Sequence, residues 1–157
     1  MKGLLAQMLT STAEDAEQAR WLLEARYLPN EVLKAEADEL TQAVFDGLGS
    51  ASAEGVAEGW ELLSEIAGGC VGETAADPEL VEKVRTVLVL NSDTALLRLA
   101  NLTAQPYDFL AVDVVDAMLE FAGPELHTRC LEALDAFARR GPRERARAAV
   151  IRGTGGG

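Results

Sequence analysis

The chain has 157 residues, a formal net charge of -12 at pH 7 from 26 acidic and 14 basic side chains, and a hydrophobic share of 48% with only 5% aromatic. That length is one ordinary domain and leaves little room for a second. The charge disfavours a grip on phosphate backbones, and no run approaches the roughly 18 uninterrupted apolar residues of a membrane-spanning helix.

Leu, Ala and Val supply the apolar share, a composition that favours packed helices. Met1 to Leu9 carries one positive charge and a short apolar run broken by Gln7, so it reads as a first helix rather than a signal peptide. Ser11-Thr12-Ala13-Glu14 has the form of a capping box, predicting a helix from there to about Tyr27. Pro29-Asn30 ends that segment and offers Asn30 as the next N-cap, after which Leu33, Ala37, Leu40, Val44 and Leu48 form one stripe before Gly49-Ser50.

From Ser52 to Ala67 the residues Val56, Trp60, Leu63 and Ala67 share a side, and Gly68-Gly69 supplies a stop. Asp77-Pro78 opens a helix through Val81, Val84 and Leu88, within which Val87 to Leu90 alone resembles a strand. Asn91-Ser92-Asp93 breaks and restarts the chain into Thr94 to Leu102, and Pro106 marks a further boundary. A helix from about Asp108 to Ala122 is apolar nearly all round and should be the most enclosed. Gly123-Pro124 leads into Glu125 to Arg140, and Gly141-Pro142 into a short basic helix. Residues 1–152 thus read as a single all-helical domain of eight or so helices, with 153–157 a flexible Gly-rich tail.

Three segments share the form Leu-x-x-apolar-Ala, each late in a predicted helix: Leu63 to Ala67, Leu96 to Ala100 and Leu134 to Ala138. On these, and on the run from Ser50 to Ala67, the chain resembles the HEAT-like family of α-helical repeat proteins. The resemblance implies a short right-handed stack of antiparallel helical hairpins, an α-solenoid, that serves as a protein-binding scaffold. The run departs from the family pattern, since no Arg follows Val56 and Trp60 stands where a small residue is usual. The alternative architecture is an irregular helical bundle.

Charge is unevenly spread. The 48 residues between Lys34 and Lys83 hold twelve acids and no Lys or Arg. Residues 1–128 carry 23 acids and 7 bases, net -16, whereas residues 129–157 carry 3 acids and 7 bases, net +4. Glu54, Glu58, Glu61 and Glu65 follow steps of four, three and four, so their carboxylates share one helix face. Asp113, Asp116 and Glu120 form a second narrow seam on an otherwise apolar helix. These seven residues are the candidate partner-binding sites. They favour a basic protein partner over direct nucleic acid or membrane, with an immunity or antitoxin-like inhibitor of a basic enzyme as the sharpest form. The plain reading is a solvated face, and the C-terminal arginines read either as partners of the acidic body or as a docking arm.

No catalytic motif emerges, and no cofactor or metal is implied. The single histidine, His127, lies at helical i, i+3 spacing from Cys130, without a nucleophile turn nearby. One histidine cannot build the paired Glu-x-x-His sites of di-iron bundles. Glu58/Glu61 and Asp113/Asp116 are the only acid pairs singled out for Mg²⁺, so a carboxylate-metal enzyme ranks below an apolar-surface accessory subunit as an alternative. Cys70 and Cys130 read as small buried hydrophobes in a cytoplasmic protein, a disulfide between them being the alternative. Trp60, Tyr107 and Phe109 are each either core residues or anchors for a partner.

Overall fold

The structure is a computed structural model that describes residues 1–101 and 110–155. The described chain is helical, without strands: α1 (Lys2–Thr10), α2 (Ala13–Tyr27), a 3₁₀ turn (Pro29–Glu31), α3 (Ala37–Leu48), α4 (Ala53–Gly68), α5 (Pro78–Leu90), α6 (Ser92–Ala100), α7 (Leu110–Phe121), α8 (Pro124–Ala138) and α9 (Pro142–Gly155). The predicted boundary at Pro106, the predicted helix start at Asp108, and the side chains of Tyr107 and Phe109 lie outside the described residues. Where the sequence reads as one domain, the contacts cluster into two compact units, Met1–Leu88 and Val89–Gly157. Among the described residues α9 extends to Gly155.

In the first unit α4 packs against α1, α2 and α3. Ser52 is its N-cap, its Oγ accepting from the Gly55 amide at 3.0 Å, which satisfies one of the free N–H groups of the first turn. Leu62, Leu63, Ile66 and Ala67 are fully buried, each large side chain contributing about 1.5–3 kcal/mol of burial. Trp60 belongs to this core, 2% exposed and edge-on to Phe45 at 6.1 Å between ring centroids.

The close approach of α1 to α4 depends on Gly55. A Cβ built there would stand 2.0 Å from the Leu9 carbonyl oxygen, a backbone atom with nowhere to move. That same carbonyl accepts from the Ser52 amide at 2.9 Å, so the end of α1 is tied to the start of α4. Gly59, one turn on, faces Leu48 of α3, where an added Cβ would meet a methyl group at 2.8 Å.

Two helix starts depart from the sequence reading. Thr12, not Ser11, occupies the N-cap of α2 and makes no side-chain cap bond, so the capping box does not form. Asn30 does not cap α3: it lies inside the 3₁₀ turn at φ 54°, and α3 begins only at Ala37, after Glu36 at φ 71°. Asn30, Glu31 and Glu36 are all left-handed, a conformation that asparagine tolerates and that costs each glutamate about 1–2 kcal/mol. The Lys34 amide bonds the Tyr27 carbonyl at 2.9 Å across this reversal, which places Leu33 in the core ahead of α3.

In the second unit α7 is the enclosed helix, with Ala111, Val112, Val114, Val115, Ala117 and Met118 buried. It packs on α6, α8 and α9, while α8 packs on α6 and α9. Of the three Leu-x-x-apolar-Ala segments, the fourth position is buried in every copy, at Ile66, Leu99 and Phe137, whereas the closing alanine is buried only at Ala67.

Gly55→Ala is expected to destabilise the chain by about 1–3 kcal/mol through overpacking. Gly68→Ala, where an added Cβ meets nothing within 4 Å, should leave stability unchanged or slightly raised. Urea unfolding followed by circular dichroism checks both.

Candidate functional site

The stripe on α4 forms as the spacing requires, but its members differ. Glu54 and Glu65 are exposed, while Glu58 and Glu61 are half-buried. Arg20, on α2, donates from Nε to Glu58 at 2.5 Å and from Nη1 to Glu24 at 2.8 Å. Its side chain is only 12% exposed, so this fork is shielded from solvent and joins α2 to α4. Glu58 is therefore already engaged within the fold. Glu65 has no such partner close by: partial desolvation, then the negative charges of Glu24, Glu61 and Glu31, raise its carboxyl above the ordinary value, with Arg20 only partly opposing them.

The second seam is similarly engaged. Arg147 of α9 donates to Asp113 at 2.7 Å and reaches Asp116 at 3.5 Å. Burial, followed by the charges of Asp113 and Glu120, still leaves the Asp116 carboxyl raised, Arg147 pulling the other way. Glu120 lies on the exposed side of α7. Of the other C-terminal arginines, Arg152 pairs with Asp135 and Arg140 donates to the Ala100 carbonyl, so these three basic residues close the second unit on itself. The two acidic seams belong to different units, one to each.

A feature that spacing alone does not reveal lies at the other end of the acid-only span. The segment Val32 to Glu39 lies beside the segment Ala75 to Lys83, and between them opens a cleft of about 510 Å³. Val32, Leu33, Ala35, Ala75, Ala76 and Leu80 give it apolar walls, and Glu36, Asp38, Glu39, Asp77 and Glu79 supply five carboxylates against the two ammonium groups of Lys34 and Lys83. The local fold explains these positions. Asp77 Oδ1 accepts from the Glu79 amide at 3.0 Å at the start of α5, and Asp38 and Glu39 occupy the first turn of α3, where the helix dipole favours negative charge. Left-handed Glu36 turns the chain into α3 at the cleft edge. The signal that could have found the cleft was that Lys34 and Lys83, which bound the acid-only span, both line this site.

Neither cysteine is an activated nucleophile. Burial pushes the Cys70 thiol up to about 12 and the Cys130 thiol up to about 11, and both are free and fully enclosed. Cys130 therefore gives His127 no exposed thiolate to act on. Among the described residues no three His, Cys, Asp or Glu side chains converge as a metal site, and no helix is long and apolar enough to cross a membrane.

Glu65→Gln should raise stability at neutral pH. A carboxyl whose pKa is higher in the folded state imposes its penalty above that folded value, and the penalty fades as pH falls to the unfolded value, so the gain from Glu65→Gln should vanish near pH 4. Thermal unfolding across pH 4–8 checks this. Both cysteines should resist a thiol reagent in the native chain and react once it is unfolded in urea. No protein-family model matches the sequence, and neither a curated protein nor a solved structure is found to be similar to it.

Proposed function

We propose that the chain is a cytoplasmic protein-binding module whose first unit receives a basic partner, with an immunity or antitoxin-like inhibitor of a basic enzyme as the sharpest form. The observation that carries this reading is the cleft of about 510 Å³ in which five carboxylates stand around apolar walls. Such a lining suits an Arg or Lys side chain of a partner, the methylene stem against Val32, Ala35 and Leu80 and the cationic head among the carboxylates. Glu54, Glu61 and Glu65 extend the negative field along α4 and would steer association, whereas Glu58 is held by Arg20 and serves the fold. By the same reasoning Asp113 and Asp116 hold Arg147 and stand behind the cleft residues as binding candidates. The two buried free thiols accord with a reducing compartment.

In the second unit each of α6, α7 and α8 packs on the next helix, and α6 and α7 also pack on the next but one. That pattern supports the hairpin-stack reading of the repeats. A second functional reading, an accessory subunit that uses apolar surface, is favoured by Leu90 and Leu97, 74% and 63% exposed.

Affinity capture with the wild-type chain and with a variant carrying Glu36→Gln, Asp38→Asn, Glu39→Gln, Asp77→Asn and Glu79→Gln tests the first reading. A basic protein should be retained by the wild type at low salt, released at high salt, and bound at least about tenfold more weakly by the variant. Equal retention of the same proteins by both chains contradicts it, and retention lost only on Leu90→Glu or Leu97→Glu favours the second reading.

A further inference from the structure

The outer side of α2 pairs two exposed apolar side chains with a charge pattern that is its own complement. The buried stripe of the helix is Ala16, Ala19, Leu23 and Tyr27; Trp21, 56% exposed, lies opposite it with Gln18 and Ala25, and Leu22, 49% exposed, lies on the adjoining flank. A single exposed apolar residue is ordinary, but a tryptophan and a leucine both exposed on the outer half of one helix have the composition of a contact surface.

Charge identifies what covers it. Asp15 and Arg26 are eleven residues apart, about three helical turns, with Leu22 seven residues after Asp15 and four before Arg26. These three side chains therefore run along one flank in the order acid, apolar, base. Asp15 and Arg26 are both exposed, and neither joins an ion pair among the described residues. The Arg26 guanidinium lies over the Tyr27 ring, 5.3 Å from its centroid, which limits where the head group can swing.

A two-fold axis perpendicular to a helix sets each flank against the same flank of the second helix and reverses its direction. Applied to α2, this brings Asp15 of one chain to Arg26 of the other, twice, about an axis between residues 20 and 21, so the two Leu22 side chains lie between the ion pairs, offset by about 4.5 Å along the helices, and the Trp21 side chains flank them at the far edge of the contact. A parallel pairing would set Asp15 on Asp15 and Arg26 on Arg26. The geometry points to this face of α2 as a self-association surface, its occupant a second copy of the chain lying antiparallel. It is independent of the acidic cleft, which uses none of these residues.

Sedimentation equilibrium of the full chain over a range of concentrations tests the proposal. The wild type should rise from the mass of one chain towards that of two, and Leu22→Glu should stay monomeric with unchanged circular dichroism. Asp15→Arg and Arg26→Asp should each weaken association at least about tenfold, because each replaces two attractions by two repulsions, and the combined variant should return to within about threefold of the wild type. A wild type that remains monomeric up to about millimolar concentration overturns the proposal. So does association that Asp15→Arg leaves unchanged, or a combined variant weaker than either single one.

Discussion

The first unit depends on how closely two helices approach where α4 begins. With hydrogen in place of a side chain at Gly55, the Leu9 carbonyl can reach the start of α4 and accept from Ser52. α2 then lies against both α1 and α4, and Arg20 and Glu58 meet across that contact. The core of Trp60, Leu63 and Ile66 against α3 follows from the same placement of α4. A β-carbon at residue 55 would force apart the pair of helices that the other contacts assume.

Four arginines of this acidic chain are committed inside the fold. Arg20 takes Glu58 and Glu24, Arg147 takes Asp113 and Asp116, Arg152 takes Asp135, and Arg85 donates to the Cys70 carbonyl at 2.7 and 3.0 Å. Both acidic seams thus lose part of their outward charge to local partners. The cleft between Val32–Glu39 and Ala75–Lys83 has two lysines, Lys34 and Lys83, beside its five carboxylates. Negative charge with apolar walls is concentrated there rather than along the α4 stripe.

Much of the helical framework was legible because its signals are local. Ser52 caps α4 and Gly68-Gly69 end it as the sequence suggests, and Asp77-Pro78 opens α5. The misreadings have local causes too. α3 starts late because Asn30, Glu31 and Glu36 adopt positive φ, a conformation that asparagine favours but that nothing in a glutamate announces. Starting α2 one residue later puts Glu14 at the second rather than the third helical position, out of capping-box register. The acidic stripe was legible as spacing, but its engagement by Arg20 was not, since the partner lies 38 residues away. Trp21 and Leu22 were readable in principle, because they fall off the stripe of Ala16, Ala19, Leu23 and Tyr27.

The central claim is that the cleft of the first unit, rather than the acidic surface at large, recognises cationic side chains. The most direct measurement is a titration of the ¹⁵N-labelled chain with a short arginine-rich peptide, followed by amide chemical shifts. The account predicts saturable shifts concentrated at Lys34 to Glu39 and Ala75 to Lys83. Shifts of equal size along Glu54 to Glu65 and around Asp93, Glu125 and Glu132, without saturation, would contradict it.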